Sequence, residues 1–266
     1  MSESAVDMAE LSNAITDSMY KAYERRLLKD IKKWPVPKHV AIIMDGNRRY
    51  AEELGLQPTD GHDMGRDKLE QVLEWCMEVD IRVLTVYAFS TENIKRSMDE
   101  VEKLMELFDI NFRKAADDER IHKNKVRIRA IGQVDKLPPT VQEAIKYAEE
   151  RTKNYDAYHF NLAVAYGGRE EIIHAIKRIA EDHKSGKLDL GDIDEKKVSS
   201  YMFTKDLPDP DLVLRTSGEE RISNFLLWQM AYAELYFTDV YWPGFRKIDF
   251  LRAVRTYQSR HRRYGK

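Results

Sequence analysis

The chain has 266 residues and a mass of 31.2 kDa, enough for one large domain or two small ones and for a core that needs no disulfide or structural metal. Cys76 is its single cysteine, which excludes a disulfide framework and a thiolate metal cluster within one chain and fits a reducing compartment. A net charge of -2 and a sequence pI of about 6.4 create no global field for nucleic acid, so any anionic ligand has to be held by a local cluster of arginines.

The N-terminal stretch MSESAVDMAELSNA is acidic and has no apolar core of the signal-peptide kind. No apolar run is long enough to span a bilayer, so the expectation is a soluble, cytoplasmic protein. Tyr20, Tyr23, Leu27, Ile31 and Trp34 then recur at roughly helical spacing, with Lys21, Arg25, Arg26, Lys29, Lys32 and Lys33 on the other faces, until Pro35 and Pro37 stop the pattern. The stripe predicts an N-terminal helix docked on the body of the protein. Its basic character supports a second reading, peripheral contact with anionic lipid. An N-terminal extension, residues 1–37, is thereby set apart from a body of residues 38–266.

From His39 onward short apolar runs alternate with longer helical patterns. HVAIIM, IRVLTVYAF, KVRIRAIG, YHFNLAVAY and DLVLRT read as strands, with ELYF as a short sixth. RDKLEQVLEWCMEV, MDEVEKLMELFDINFRKAADD, PTVQEAIKYAEER and EEIIHAIKRIAEDH read as helices between them. The polar stretch HKSGKLDLGDID is a loop rather than a domain boundary. Continuous apolar strands separated by amphipathic helices predict a single α/β domain with a mostly parallel central sheet flanked by helices. Ligands of such sheets bind beyond the carboxyl ends of the strands, so chemistry is sought where each strand exits.

The first strand exits into DGNRRYAEELG. Gly46 permits a tight turn, amide groups at the next helix start can face an anion, and Arg48 and Arg49 are donors suited to phosphate oxygens. Asp45 repels a phosphate unless a divalent cation lies between them. Magnesium is such a cation, because it binds through one or two carboxylates plus substrate phosphates. A lone DGN is also an ordinary turn. His62, after Gly61, can donate a hydrogen bond or carry a proton. The second strand exits into FSTENIKR, where Ser90, Thr91 and Asn93 are typical helix-entry residues and Arg96 is a further phosphate donor. Behind it Val101, Leu104, Met105, Phe108 and Phe112 line one helix face, which is core unless the ligand has a long apolar tail. Gly167 and Gly168 follow the fourth strand as a backbone turn. The fifth exits into RTSGEERISNFLLWQMAYAELYF, which crowds Arg215, Ser217, Arg221 and Ser223 into nine residues and makes a cradle for a second diphosphate. Glu234 stands beyond it among apolar and aromatic residues, an expensive place for an acid without a cation or donor. Neither GxxxxGK[ST] nor a strand-following GxGxxG occurs, which argues against P-loop and dinucleotide enzymes. Two anion clusters beside apolar surface point to joining isoprenoid diphosphates.

HVAIIMDGNRRYA, Gly61-His62, VYAFSTENIKR, YGGR, LRTSGEERISNFLLWQMAYAELYFTDVYWP and the closing Arg263-Tyr264-Gly265 resemble, in order, the signature regions of the cis-prenyltransferases. The resemblance implies a Mg2+-dependent transferase that condenses isopentenyl diphosphate onto an allylic diphosphate primer, with an apolar tunnel for the growing chain. It implies that Asp45 holds the metal, with Glu234 supporting the metal or a dimer contact. Gly46, Asn47, Arg48, Arg49 and His62 would bind the allylic diphosphate, and Arg96, Arg215, Arg221 and Ser223 isopentenyl diphosphate. Phe89, Ser90 and Asn93 would lie on a flexible loop, with Asn93 assisting proton removal. Arg263 and Gly265 would reach a partner subunit in a homodimer. Arg48 in place of a glycine and Ile94 in place of a tryptophan resemble the archaeal and eukaryotic branch, which favours geranylgeranyl over farnesyl diphosphate as primer. Pro58 stands where many relatives carry an arginine that contacts the primer, and Ala165 where bacterial relatives often have asparagine. A non-catalytic, prenyl-diphosphate-binding subunit is the alternative; such subunits typically lose the aspartate and several arginines, all present here. A phosphatase with an aspartyl nucleophile wants an acid at position 47, which is Asn47.

Overall fold

A computed structural model of the protein describes residues 20–260. Contacts divide the chain into two compact units, one of Pro37–Phe245 and one of the chain up to Val36 together with the chain from Arg246 onward.

The Pro37–Phe245 unit holds the sheet. Its strands are β1 (His39–Ile43), β2 (Val83–Ser90), β3 (Val126–Ile131), β4 (Tyr158–Tyr166), β5 (Leu212–Arg215) and β6 (Glu234–Phe237). They lie in the order β3-β4-β2-β1-β5-β6, and every pairing is parallel. All residues of β1 and β5 are buried, as expected for inner strands covered on both faces. At the edge, β6 is half-buried throughout.

Seven α-helices of this unit connect the strands: α2 (Asn47–Glu53), α3 (Asp60–Glu78), α4 (Met98–Asp117), α5 (Glu119–Lys123), α6 (Pro139–Thr152), α7 (Gly168–Lys184) and α8 (Glu195–Ser199). Helix α3 starts at Asp60, six residues before the apolar pattern does, with Asp60 and Asp63 in its first turn, where acids favour a helix start. In α4, Leu104, Phe108, Phe112 and Ala116 are buried at four-residue steps, and α4 packs on α6. Phe89 and Ser90, expected on a flexible loop, instead close β2. Phe89 is buried with its ring edge-on to Phe108 at 6.2 Å, which anchors the strand end to α4. Thr91–Lys95 follow as a single 3-10 turn.

Sheet order explains where the chemistry sits. From β1 the chain moves to β2 on one side, and from β4 it returns to β5 on the other. The crevice between β1 and β5 is therefore a switch point, where open α/β sheets bind ligands. Ile43 is in register with Arg215, so Asp45 leaves β1 directly beside the end of β5.

In the other unit, residues 20–31 form α1 and Lys247–Ser259 form α9. Gln258 Nε2 donates to the carbonyls of Ile31 at 2.9 Å and Trp34 at 3.1 Å, and Lys247 pairs with Glu24 at 3.3 Å, which is why α9 groups with α1. The predicted stripe splits: Leu27 and Ile31 are buried, whereas Tyr20, Tyr23 and Trp34 are exposed. Arg246 lies over the ring of Tyr20 and Arg252 over that of Tyr23, each within 5.6 Å.

Candidate functional site

A cleft of about 1130 Å3 opens at the carboxyl ends of the strands, and Asp45, Gly46, Asn47, Arg48, Arg49, His62, Ser90, Asn93, Arg96, Arg215, Arg221 and Ser223 all line it. The exits of β1, β2 and β5 thus meet at one place.

The loops after β1 and β5 are stitched together first. The Asp45 amide donates to Thr216 Oγ1 at 3.0 Å, and Thr216 Oγ1 donates back to the Asp45 carbonyl at 2.6 Å. Trp242 N donates to that carbonyl as well. Gly46 turns the chain into α2 with φ 102°, and a Cβ at that position would lie 2.6 Å from a ring carbon of Tyr241. Only glycine suits both the backbone angle and the space.

On this frame the Asp45 carboxylate takes Arg215 Nη2 at 2.7 Å and Arg49 Nη2 at 3.3 Å. Arg49 Nη2 also donates to Ser217 Oγ at 2.7 Å, and its guanidinium lies over the ring of Tyr241. Arg215 is buried, donates to Ser223 Oγ at 2.8 Å and to the Arg221 carbonyl, and keeps a buried Nε with no partner. Glu219 links Arg49 to Arg221. Ser217, Ser223, Asn224 and Leu226 all have positive φ. Such a run of left-handed residues is held by its surroundings and fixes the arginine-serine cradle in place. Burial raises the Asp45 pKa, but Arg215 and then Arg49 outweigh it and hold the carboxyl below its ordinary value.

A second basic cluster gathers on Glu100, which the sequence reading did not single out. Its carboxylate takes Arg96 Nη1 at 2.9 Å, His62 Nε2 at 3.3 Å and Arg48 Nη1 at 3.6 Å. Arg96, expected with Arg215 and Arg221, thus shares its carboxylate with Arg48 and His62. The signal available in the sequence was the four-residue spacing of Arg96 and Glu100. Burial depresses the His62 pKa more than Glu100 raises it.

Other expected residues are occupied structurally. Ser90 Oγ accepts from the Asn93 amide while Asn93 Oδ1 accepts from the Ser90 amide, a reciprocal cap on the 3-10 turn. The side-chain oxygen of Asn47 is buried and unpartnered, and it packs where α3 has glycine at 65. A Cβ on Gly61 would lie 2.1 Å from the Asn47 carbonyl oxygen, so Gly61 serves the close approach of α2 to α3. Ala165 has φ 45°, a conformation that asparagine adopts more readily than alanine.

Glu234 corrects the reading that paired it with Asp45. It is the first residue of β6, in register with Leu212, whereas the cleft lies beyond Arg215 and Phe237 at the other end of these strands. Parallel pairing therefore puts Glu234 at the amino edge of the sheet, away from the Asp45 of its own chain, and leaves its dimer-contact reading standing. Arg263 and Gly265 lie outside the described residues.

The donor set fits a magnesium ion held through one carboxylate and substrate oxygens. Asp45 lies at the cleft with its side chain 28% exposed and strong donors on either side. Among the described residues no group of three or more metal-ligating side chains gathers, so the remaining ligands would be diphosphate and water.

Comparisons with known proteins give the chain's relatives. A family model described as "Putative undecaprenyl diphosphate synthase" matches residues 43–265. The chain is 56% identical over 256 residues to a Thermoplasma volcanium protein named tritrans,polycis-undecaprenyl-diphosphate synthase (geranylgeranyl-diphosphate specific), a match that covers 96% of this chain and 99% of that one. A protein of the same name from Methanocaldococcus jannaschii is 57% identical over 248 residues, 92% of this chain and 89% of that one. Among solved structures, lavandulyl diphosphate synthase from Lavandula x intermedia in complex with dimethylallyl diphosphate matches with a TM-score of 0.84 and 37% identity, over 87% of this chain and 99% of that one.

Proposed function

The chain belongs to the undecaprenyl diphosphate synthase family, the cis-prenyltransferases, and from that membership we propose that it condenses isopentenyl diphosphate units onto geranylgeranyl diphosphate, with farnesyl diphosphate the weaker primer. The product is a long-chain polyprenyl diphosphate of mixed Z and E double bonds, suited to carrying glycans on lipid. One observation carries the reading: Asp45 and Arg215, paired at 2.7 Å, stand in a single cleft with separate basic clusters on either side.

Arg49, Arg215, Arg221, Ser217 and Ser223 make up one anion cradle, and Arg48, His62 and Arg96 the other. Both match diphosphate oxygens in charge and geometry. As the primer's carbon–oxygen bond breaks, negative charge builds on the departing diphosphate, and preorganised arginine donors stabilise it. When bound, Mg2+ would neutralise part of the same charge, with Asp45 as its protein ligand. The alkene of isopentenyl diphosphate then bonds to the allylic carbon, and loss of a proton to a diphosphate oxygen sets the new Z double bond. Arg48 supplies beside His62 a guanidinium that Pro58 does not. The geranylgeranyl preference is supported by the names of the archaeal relatives.

The same proposal includes a homodimer and a cytoplasmic location with peripheral membrane contact through residues 20–34. Among the described residues no helix is long and apolar enough to cross a membrane. Exposed Tyr20, Tyr23 and Trp34 beside lysines and arginines support the peripheral contact, and failure of the protein to co-sediment with anionic vesicles would retire it.

Purified protein given Mg2+, labelled isopentenyl diphosphate and geranyl, farnesyl or geranylgeranyl diphosphate should make butanol-extractable polyprenyl products, fastest with the geranylgeranyl primer. Folded protein that incorporates no label with any primer overturns the proposal.

A further inference from the structure

The exits of β2, β4 and β5 converge on Asn224, to which the prenyltransferase reading gives no role. Asn224 follows Ser223 directly, and the two have left-handed backbone, φ 62° and 47°. Asparagine tolerates that region better than most residues with a Cβ. On the β4 side, its Oδ1 accepts from the Arg169 amide at 2.9 Å and its carbonyl from the Gly168 amide at 2.7 Å. Its Nδ2 donates to Glu170 Oε2 at 3.1 Å and, on the β2 side, to Glu92 Oε1 at 3.4 Å. Thr91 Oγ1 donates to Glu92 Oε2 at 3.2 Å and so orients that carboxylate.

The two glycines after β4 make this convergence possible. A Cβ on Gly167 would lie 2.1 Å from Glu170 Oε2, 2.8 Å from Asn224 Nδ2 and 2.9 Å from Thr91 Oγ1. On Gly168 it would lie 2.7 Å from a side-chain carbon of Leu227 and 3.1 Å from the Asn224 carbonyl oxygen. Bare backbone at both positions lets the loops close on Asn224. The consequence reaches the cleft through the preceding residue. Ser223 Oγ accepts from the buried Arg215, and the Arg221 carbonyl accepts from the same guanidinium. The opposite cluster is held without Asn224, because Glu100 gathers Arg48, His62 and Arg96.

We propose that Asn224 is a positioning residue for the cradle of Arg215, Arg221 and Ser223. It ties the loop that carries Ser223 to the turn after β4 and, through Glu92, to the Thr91–Lys95 turn that carries Asn93. The inference rests on the prenyltransferase reading above. The side chain is spent on Glu92, Arg169 and Glu170, so it acts through Ser223 rather than on substrate. Both ties to carboxylates need the Nδ2 donor, and a carboxylate in its place would face Glu92 and Glu170 as a like charge. Asn224→Asp therefore keeps the size, the left-handed backbone and the Oδ1 acceptor while it breaks both ties.

Steady-state kinetics with geranylgeranyl and isopentenyl diphosphates tests this. Asn224→Asp should raise KM for isopentenyl diphosphate about tenfold, the scale of losing a hydrogen bond to a charged group. KM for the primer should stay within about twofold, because Glu100 holds that cluster separately. Adding Glu92→Gln offers the introduced carboxylate an amide donor again and should recover about threefold or more of the loss. Damage confined to the cradle would not answer to a change at position 92. Asn224→Gly, which accepts the left-handed backbone without a side chain, should show the same rise and gain nothing from Glu92→Gln; it carries the test where Asn224→Asp fails to fold. Independently of turnover, calorimetry with inorganic pyrophosphate should show one binding step weakened about tenfold in Asn224→Asp and recovered in the double variant. An isopentenyl KM within about twofold of the parent in both variants, a primer KM that rises equally, or a loss that Glu92→Gln does not relieve overturns the proposal. A parent protein that incorporates no isopentenyl diphosphate while the pyrophosphate step still weakens and recovers removes the prenyl reading and supports the positioning role.

Discussion

Asp45 is an acid kept ionised by the groups it serves. Arg215 and Arg49 outweigh the burial that raises its pKa, so its stabilising contribution is in place at neutral pH and is lost only as pH falls through that depressed value. Asp45→Asn separates charge from shape, because the amide oxygen still accepts from Arg215. Turnover with isopentenyl diphosphate should fall about 10²–10³-fold, the scale for removing one electrostatic element of a transition state. Stability should fall by only about 1–2 kcal/mol, since the pair opens onto a solvated cleft. Steady-state kinetics together with urea denaturation checks both, and a variant with near-parental turnover would remove Asp45 from the metal role. At this scale the sequence was readable where a residue type was out of place: an acid before two arginines, and donors crowded after a buried strand. It was not readable at Glu100, which looks like any charge on the polar face of an amphipathic helix until tertiary packing brings Arg48 and His62 to it. Glu234 misled because its neighbours are apolar. Its place as the first residue of ELYF already pointed to the amino edge of the sheet.

Across the strands, the amino ends of β1, β2 and β4 carry a buried polar chain that has no part in the cleft. His39 Nδ1 lies 2.7 Å from the Pro208 carbonyl, which accepts only, so this nitrogen carries the proton. Nε2 then accepts from Thr85 Oγ1 at 2.8 Å, and Thr85 accepts in turn from Asn161 Nδ2 at 3.1 Å. The chain suits a neutral imidazole, with Nδ1 donating and Nε2 accepting. Burial dominates and pushes the His39 pKa down to about 4, against the opposing effects of the Pro208 hydrogen bond and then Asp211. The unfolded chain binds this proton near pH 6.5 and the folded chain does not, so folded stability is full above about 6.5 and declines as pH falls toward 4. The loss approaches about 3 kcal/mol, because each tenfold weakening of proton binding is worth about 1.4 kcal/mol. Urea midpoints at about pH 7 and pH 5 should show a loss larger by about 2 kcal/mol in the parent than in His39→Gln, and equal losses would refute the neutral-histidine account. All six strands and the four longest helices of this unit were visible as apolar runs and periodic stripes, because inner parallel strands carry no alternation to confuse with a helix. Strand order was not, since adjacency depends on which exposed edge each crossover reaches. The start of α3 was also hidden, because Gly61 and His62 carry no apolar signal although both lie within the helix.

For the whole molecule, the open question is whether one chain completes its own site. The cleft holds both anion clusters within the Pro37–Phe245 unit, yet the family resemblance assigns Arg263 to the site of a second subunit. Neighbouring β6 is an edge strand, and Tyr232 just before it is exposed, which supports self-association along that edge. A homodimer should weigh about 62 kDa by light scattering, twice 31.2 kDa. Complementation then distinguishes a shared site from a self-contained one. Asp45→Asn has a dead cleft but an intact Arg263; Arg263→Ala has an intact cleft but donates nothing. Unfolded together and refolded as an equal mixture, roughly half the dimers are mixed by random pairing, and each mixed dimer holds one complete site of its two. Activity should therefore rise to about a quarter of the parental value, far above either variant alone. If Arg263 serves its own chain, mixed dimers contain no complete site and the mixture stays as inactive as its components, so the same measurement decides whether the dimer is an assembly of two enzymes or the unit of catalysis.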